Sequence, residues 1–83
     1  MSTETKQKEV GIQAKRLLEN ELLIKWWESA ERALYGEFIL VPATDIDALR
    51  VLKARVDALQ SMQKDLKRYV TTGKNAEKVL STQ

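Results

Sequence analysis

The stretch from Thr44 to Gly73 constrains this chain more than any other, because it reads as one helix with both ends marked. Thr44 can cap the first free N–H groups, and Asp47, three residues on, can reach back to complete a capping box. Asp45 and Asp47 set negative charge at the positive end of the helix dipole; Lys64, Lys67 and Arg68 set positive charge toward the other end. Gly73 suits the left-handed turn that stops a helix. Between these marks Leu49, Leu52, Val56, Leu59, Leu66 and Val70 recur every three or four residues, with Gln63 alone interrupting. A helix of about 28 residues would be about 42 Å long. One apolar stripe on such a rod is not stable alone in water, so the rest of the chain, or another chain, has to cover it.

The preceding residues supply a matching face. Residues 1–8 are polar and read as a frayed, disordered tail. From Glu9 to Glu19 a weaker helical pattern places Val10, Ala14, Leu17 and Leu18 on one side, and Gly11 costs it about 1 kcal/mol relative to Ala. Asn20 reads as a new N-cap with Glu21 in the first turn, so the first helix breaks or bends there; a helix continuous through Asn20 is the alternative. From Glu21 to Gly36 the pattern is strong, with Leu23, Trp27, Ala30 and Leu34 in one row and Leu22, Trp26 and Ala33 in a second. That face is broader than a coiled-coil seam. Trp26 and Trp27 point about 100° apart, so one enters the core while the other lies at its edge. Gly36 sits where the helix could end.

Phe38-Ile39-Leu40-Val41-Pro42 is the odd piece. Pro42 pushes Val41 out of helical geometry, and the content of Phe, Ile and Val favours an extended segment that either folds over the helix ends or forms an exposed patch. After Gly73, residues 74–80 have the pattern for one or two further turns, and residues 81–83 read as loose.

Composition removes most catalytic chemistry. The 83 residues contain no cysteine and no histidine, which excludes disulfides, thiolate nucleophiles, His bases and the usual zinc or haem ligands. The expectation is a chain with no catalytic residues, metal, cofactor or small-molecule substrate. So short a chain buries only about 60% of its unfolded surface, and scaffolds of this kind commonly gain stability by associating. No apolar run approaches the roughly 20 residues that span a bilayer, and the polar start lacks a secretion signal, so no membrane partner and a cytoplasmic location are expected.

Local motifs have ordinary explanations. Thr71-Thr72-Gly73-Lys74 has Arg68 where a phosphate-binding loop needs glycine, and Asn75 where it needs Ser or Thr, which leaves a helix stop. Asp45 and Asp47, two apart on a helix, point away from each other and serve the cap and the dipole. Residues 1–44 carry six Lys/Arg and seven Asp/Glu, and residues 45–83 carry eight and five, a mild basic gradient toward the C-terminus. Lys64, Lys67, Arg68 and Lys74 are the residues for nucleic-acid contact, although Asp57 and Asp65 dilute the series. For protein contact the candidates are Trp26, Trp27, Phe38, Ile39, Leu40 and Val41, a large apolar load for so small a chain.

The order Arg16-Leu17-Leu18-Glu19-Asn20, an apolar helix with aromatics, Pro42-Ala43-Thr44-Asp45, and a long helix with Arg50 that reaches Thr72-Gly73-Lys74 and Ala76 resembles a set of small helical proteins of tailed bacteriophages, often encoded near head and DNA-packaging genes. The resemblance covers about residues 14–80. It implies a phage origin and a role in the virion or its assembly, in the host cytoplasm or the virion itself, and transfers no functional site. Phe38 to Val41 departs from it, because a more polar connection is expected there.

The expected fold is therefore all-α: an antiparallel helical hairpin of two long helices over residues 9–80, the first with or without a break near Asn20, pairing into a helical bundle. The expected function is a non-enzymatic phage structural or assembly protein that self-associates and contacts another phage or host protein through its helix faces. The alternatives are a small regulator that inhibits a host or phage protein, and a weakly basic nucleic-acid accessory protein. If Leu59 lies on the inner face, Leu59→Asp places an unpaired charge in the seam at a cost of several kcal/mol, most of a small domain's stability. The variant is expected to lose its cooperative thermal melt by circular dichroism; a melt matching wild type would put Leu59 on the outside.

Overall fold

The computed structural model describes residues 2–82, and among these the chain is all-helical. Three helices follow in order: α1 (Thr3–Glu19), α2 (Glu21–Leu40) and α3 (Ile46–Ser81). The molecule is a rod of 59 × 25 × 17 Å, with α1 and α2 both packed along α3. The contacts run in opposite senses along the two edges: Gly11 meets Gly73, Trp27 meets Leu59, and Glu37 meets Arg55.

Asn20 is the joint between the first two helices. Its extended backbone (φ −70°, ψ 118°) ends α1 while its N–H still donates to Leu17 O at 3.1 Å. Its side-chain Oδ1 accepts from Leu23 N at 2.9 Å and so caps α2. One residue closes one helix and opens the next, so the first of the two expected helices is divided at Asn20, the break read from the sequence, and three helices result.

Five boundaries depart from the sequence reading. The expected tail over residues 1–8 is helical from Thr3, because the Ser2 hydroxyl caps Thr5 N at 3.2 Å and Gln7 lies against α3. Met1 lies outside the described residues. Gly36 does not end α2, and Phe38 to Leu40 are its last turn rather than an extended segment; only Val41 is extended (φ −81°, ψ 127°), as Pro42 requires. The cap of α3 is Asp45, whose Oδ1 accepts from Ala48 N at 3.1 Å, so no capping box forms from Thr44 and Asp47. Gly73 does not stop α3, which continues to Ser81, and no glycine of the described chain takes a positive φ. Residues 74–81 continue α3 without interruption and Thr82 is its cap, so Ser81 and Thr82 are not the loose end expected; Gln83 lies outside the described residues.

What Gly73 does instead is let two backbones touch. A methyl group built on Gly73 would lie 2.9 Å from Gly11 Cα and 2.9 Å from Gln7 O; one on Gly11 would lie 2.9 Å from Gly73 Cα and 3.0 Å from Tyr69 O. Ala14 and Ala76, one turn further on each helix, are buried beside this crossing. At the other end of α3 the spacers are large: Trp27, Leu34, Leu52 and Leu59 form the buried cluster, with Leu23, Ala30, Val41, Val56 and Leu66 packed around it. The Trp27 Nε1–H donates to Leu59 O at 3.3 Å, which satisfies the one polar atom that a buried indole carries.

The three glycines give opposite expectations for one substitution. Gly11→Ala and Gly73→Ala gain about 1 kcal/mol of helix propensity, but drive a methyl group into immovable backbone, which costs about 1–3 kcal/mol or more. Gly36 has nothing within 4 Å of the added carbon, so Gly36→Ala keeps the gain. Thermal denaturation is expected to show the first two melting lower and Gly36→Ala melting higher by about 4–8 °C per kcal/mol.

Candidate interaction surfaces

Each flank of the α2–α3 seam carries its own surface. Residues three, four or seven apart on a helix share a side, so the rows beside the buried ones can be followed along both helices. On one flank Glu31, Tyr35 and Phe38 of α2 face Leu49, Lys53, Val56 and Gln60 of α3 across an open groove of about 560 Å³. Its floor is formed by Leu34, Leu52 and Leu59. Tyr35 (66% exposed) and Phe38 (53%) stand at its rim as apolar surface left in water.

On the opposite flank the row of Leu22, Trp26, Ala33 and Leu40 runs along α2, and Val51 and Met62 share one side of α3. The Arg55–Glu37 ion pair, 2.8 Å long, bridges the two helices on this side. Both partners are half exposed, so it adds at most about 1 kcal/mol. Leu22 is 78% exposed, Leu40 81% and Trp26 52%.

The residues proposed for protein contact are therefore dispersed. Trp27 is buried in the seam, while Trp26 lies outside it with its ring 5.8 Å from that of Trp27 in an edge-on arrangement. Phe38 lines the groove, Leu40 belongs to the opposite row, Ile39 is exposed on the helix back, and Val41 packs half-buried against the core. The run Phe38-Ile39-Leu40-Val41 is contiguous in sequence, yet helical winding divides it among several surfaces.

Lys64, Lys67, Arg68 and Lys74 are all exposed on α3, within a sector of roughly 120° at helical spacing. Arg68 pairs with Asp65 at 3.2 Å and lies over the Tyr69 ring at 5.7 Å. Thr71-Thr72-Gly73-Lys74 is uninterrupted helix and forms no phosphate-binding loop. Asp45 is a cap and Asp47 lies in the first turn of α3, and no charged side chain is buried among the described residues.

The groove with its Glu31 and Lys53 walls escaped the sequence reading. Its signal is Glu31-Tyr35-Phe38 on α2, one step off the buried row, and on α3 Lys53 and Gln60 at the edge of the apolar row, whose Leu49 and Val56 also line the groove. Compared with known proteins, the chain matches no family model, no curated protein and no solved structure.

The two indoles give a direct check on these placements. In dilute protein Trp27→Phe leaves only the exposed Trp26, and Trp26→Phe leaves only the buried Trp27. Acrylamide is expected to quench the first variant several-fold more strongly than the second; equal quenching would contradict the seam.

Proposed function

We propose that this chain is a non-enzymatic structural or assembly protein of phage type, a helical hairpin that pairs into a bundle and acts through its helix faces. One observation carries the proposal. Among the described residues fifteen large apolar side chains are exposed, against four that are buried, Trp27, Leu34, Leu52 and Leu59. A surface so composed is apolar beyond what scattered exposed residues explain, and burying it against protein would recover about 25 cal/mol for each Å² removed from water.

The α3 stripe is already covered by α1 and α2, so the apolar excess lies on other faces: Tyr35 and Phe38 on one flank of the α2–α3 seam, Leu22, Trp26 and Leu40 on the other, and Val10, Ile12 and Leu17 on α1, where helical rows suit contact with other helices. On this reading the Leu22–Trp26–Leu40 row recruits a phage or host protein. The phage setting comes from the sequence resemblance of residues 14–80, and with it the host cytoplasm or the virion as the place of action.

Sedimentation at micromolar concentration tests the self-associating part: a dimer or larger species is expected, and a monomer throughout would remove it. Mass spectrometry of purified virions tests the setting. The protein is expected there as an assembly component, whereas absence together with stable binding to one soluble protein would favour the small inhibitory regulator.

A further inference from the structure

We propose that the groove between Glu31 and Lys53 is where two copies of this chain close on each other, about a two-fold axis parallel to the helices. This deepens the helix-face reading above, on which it rests, by naming the face and the orientation. The groove is apolar at its floor and rim, and spans Leu49 to Gln60 on α3, roughly 16 Å along the helix. Such a length fits a facing helix better than it fits a compact small molecule.

The charges on its two walls choose the occupant. At the groove itself the α2 wall carries Glu31 and the α3 wall carries Lys53; Glu28 and Arg32 lie further out on α2, the Arg32 Nε–H donating to Glu28 O at 3.4 Å. A surface with an acidic edge and a basic edge is complementary to itself when turned by a two-fold rotation. With the axis parallel to the helices, α2 of one copy lies over α3 of the other, and Glu31 faces Lys53 twice in each pair. With the axis across the helices, α2 would lie over α2 and Glu31 against Glu31, a like-charge contact.

The heights agree as well. The Trp27–Leu59 hydrogen bond sets residue 27 level with residue 59, so Glu31 is level with about residue 55, two residues or about 3 Å from Lys53. Lys53 already meets Asp57 at 2.9 Å on the exposed surface, and its three donors allow it to hold both carboxylates. Every helix in the resulting four-helix core is antiparallel to its neighbours.

The test is sedimentation of wild type, Glu31→Lys, Lys53→Glu and an equimolar mixture of the two variants, with circular dichroism to check that each is folded. Both positions are exposed, so folding is expected to survive. Each variant alone sets like charges against each other twice and is expected to associate about 10- to 100-fold more weakly than wild type. The mixture sets opposite charges together again and is expected to form a heterodimer near wild-type affinity. A wild-type dimer indifferent to both reversals would overturn the groove assignment while leaving association through another face intact. A wild type monomeric at hundreds of micromolar would overturn the self-association as well, including the case in which the monomer takes an apolar dye into the groove.

Discussion

Everything in this molecule follows from how far its first two helices stand from the third. At the α1 crossing there are no side chains to separate the helices: Gly11 and Gly73 meet backbone to backbone, with Ala14 and Ala76 beside them. Along α2 the separation is held by an indole and three leucines. One straight segment cannot meet α3 closely at one end and at side-chain distance at the other without a change of course. Asn20 supplies that change while leaving no helix terminus without a cap.

The wide half is also where the surface stays open. A core of four large side chains fills the middle of the α2–α3 seam but not its flanks, so Tyr35 and Phe38 edge a groove on one side while Trp26 and Leu40 are bare on the other. The narrow half is bare as well, at Val10, Ile12 and Leu17 of α1 and Val79 of α3, although the residues that meet at its crossing are glycines and alanines. The proposed division of labour places self-pairing and partner contact on opposite flanks of the seam, and leaves α1 to brace the far end of α3.

Much of this was legible in the residues alone. The row of Leu23, Trp27, Ala30 and Leu34 against Leu52, Val56, Leu59 and Leu66 followed from helical spacing, with Leu49 of the same row lining the groove rather than the core, and Asn20 announced itself as a cap, because both signals are local and strong. Gly73 was misread because a glycine near the end of an apolar pattern has two uses, a helix stop or a close approach. Its partner, Gly11, decides between them from the other end of the chain. The segment 38–41 was misread because β propensity expresses fit to a sheet surface, and no sheet exists among the described residues to receive it. The groove was missed because it belongs to a pair of helices, and its composition becomes a feature only once their facing rows are aligned.

The two long edges of this rod differ in one mechanical respect. Along one edge α3 runs 36 residues without a break, about 54 Å of a molecule 59 Å long, while the other edge is jointed at Asn20 and turns back at Pro42. Such an object is a strut with a joint on one side only. Its span is set by the continuous member, and the jointed side is held against that member by the Gly11–Gly73 backbone contact and the Trp27–Leu59 hydrogen bond. An assembly built from it would inherit that fixed span.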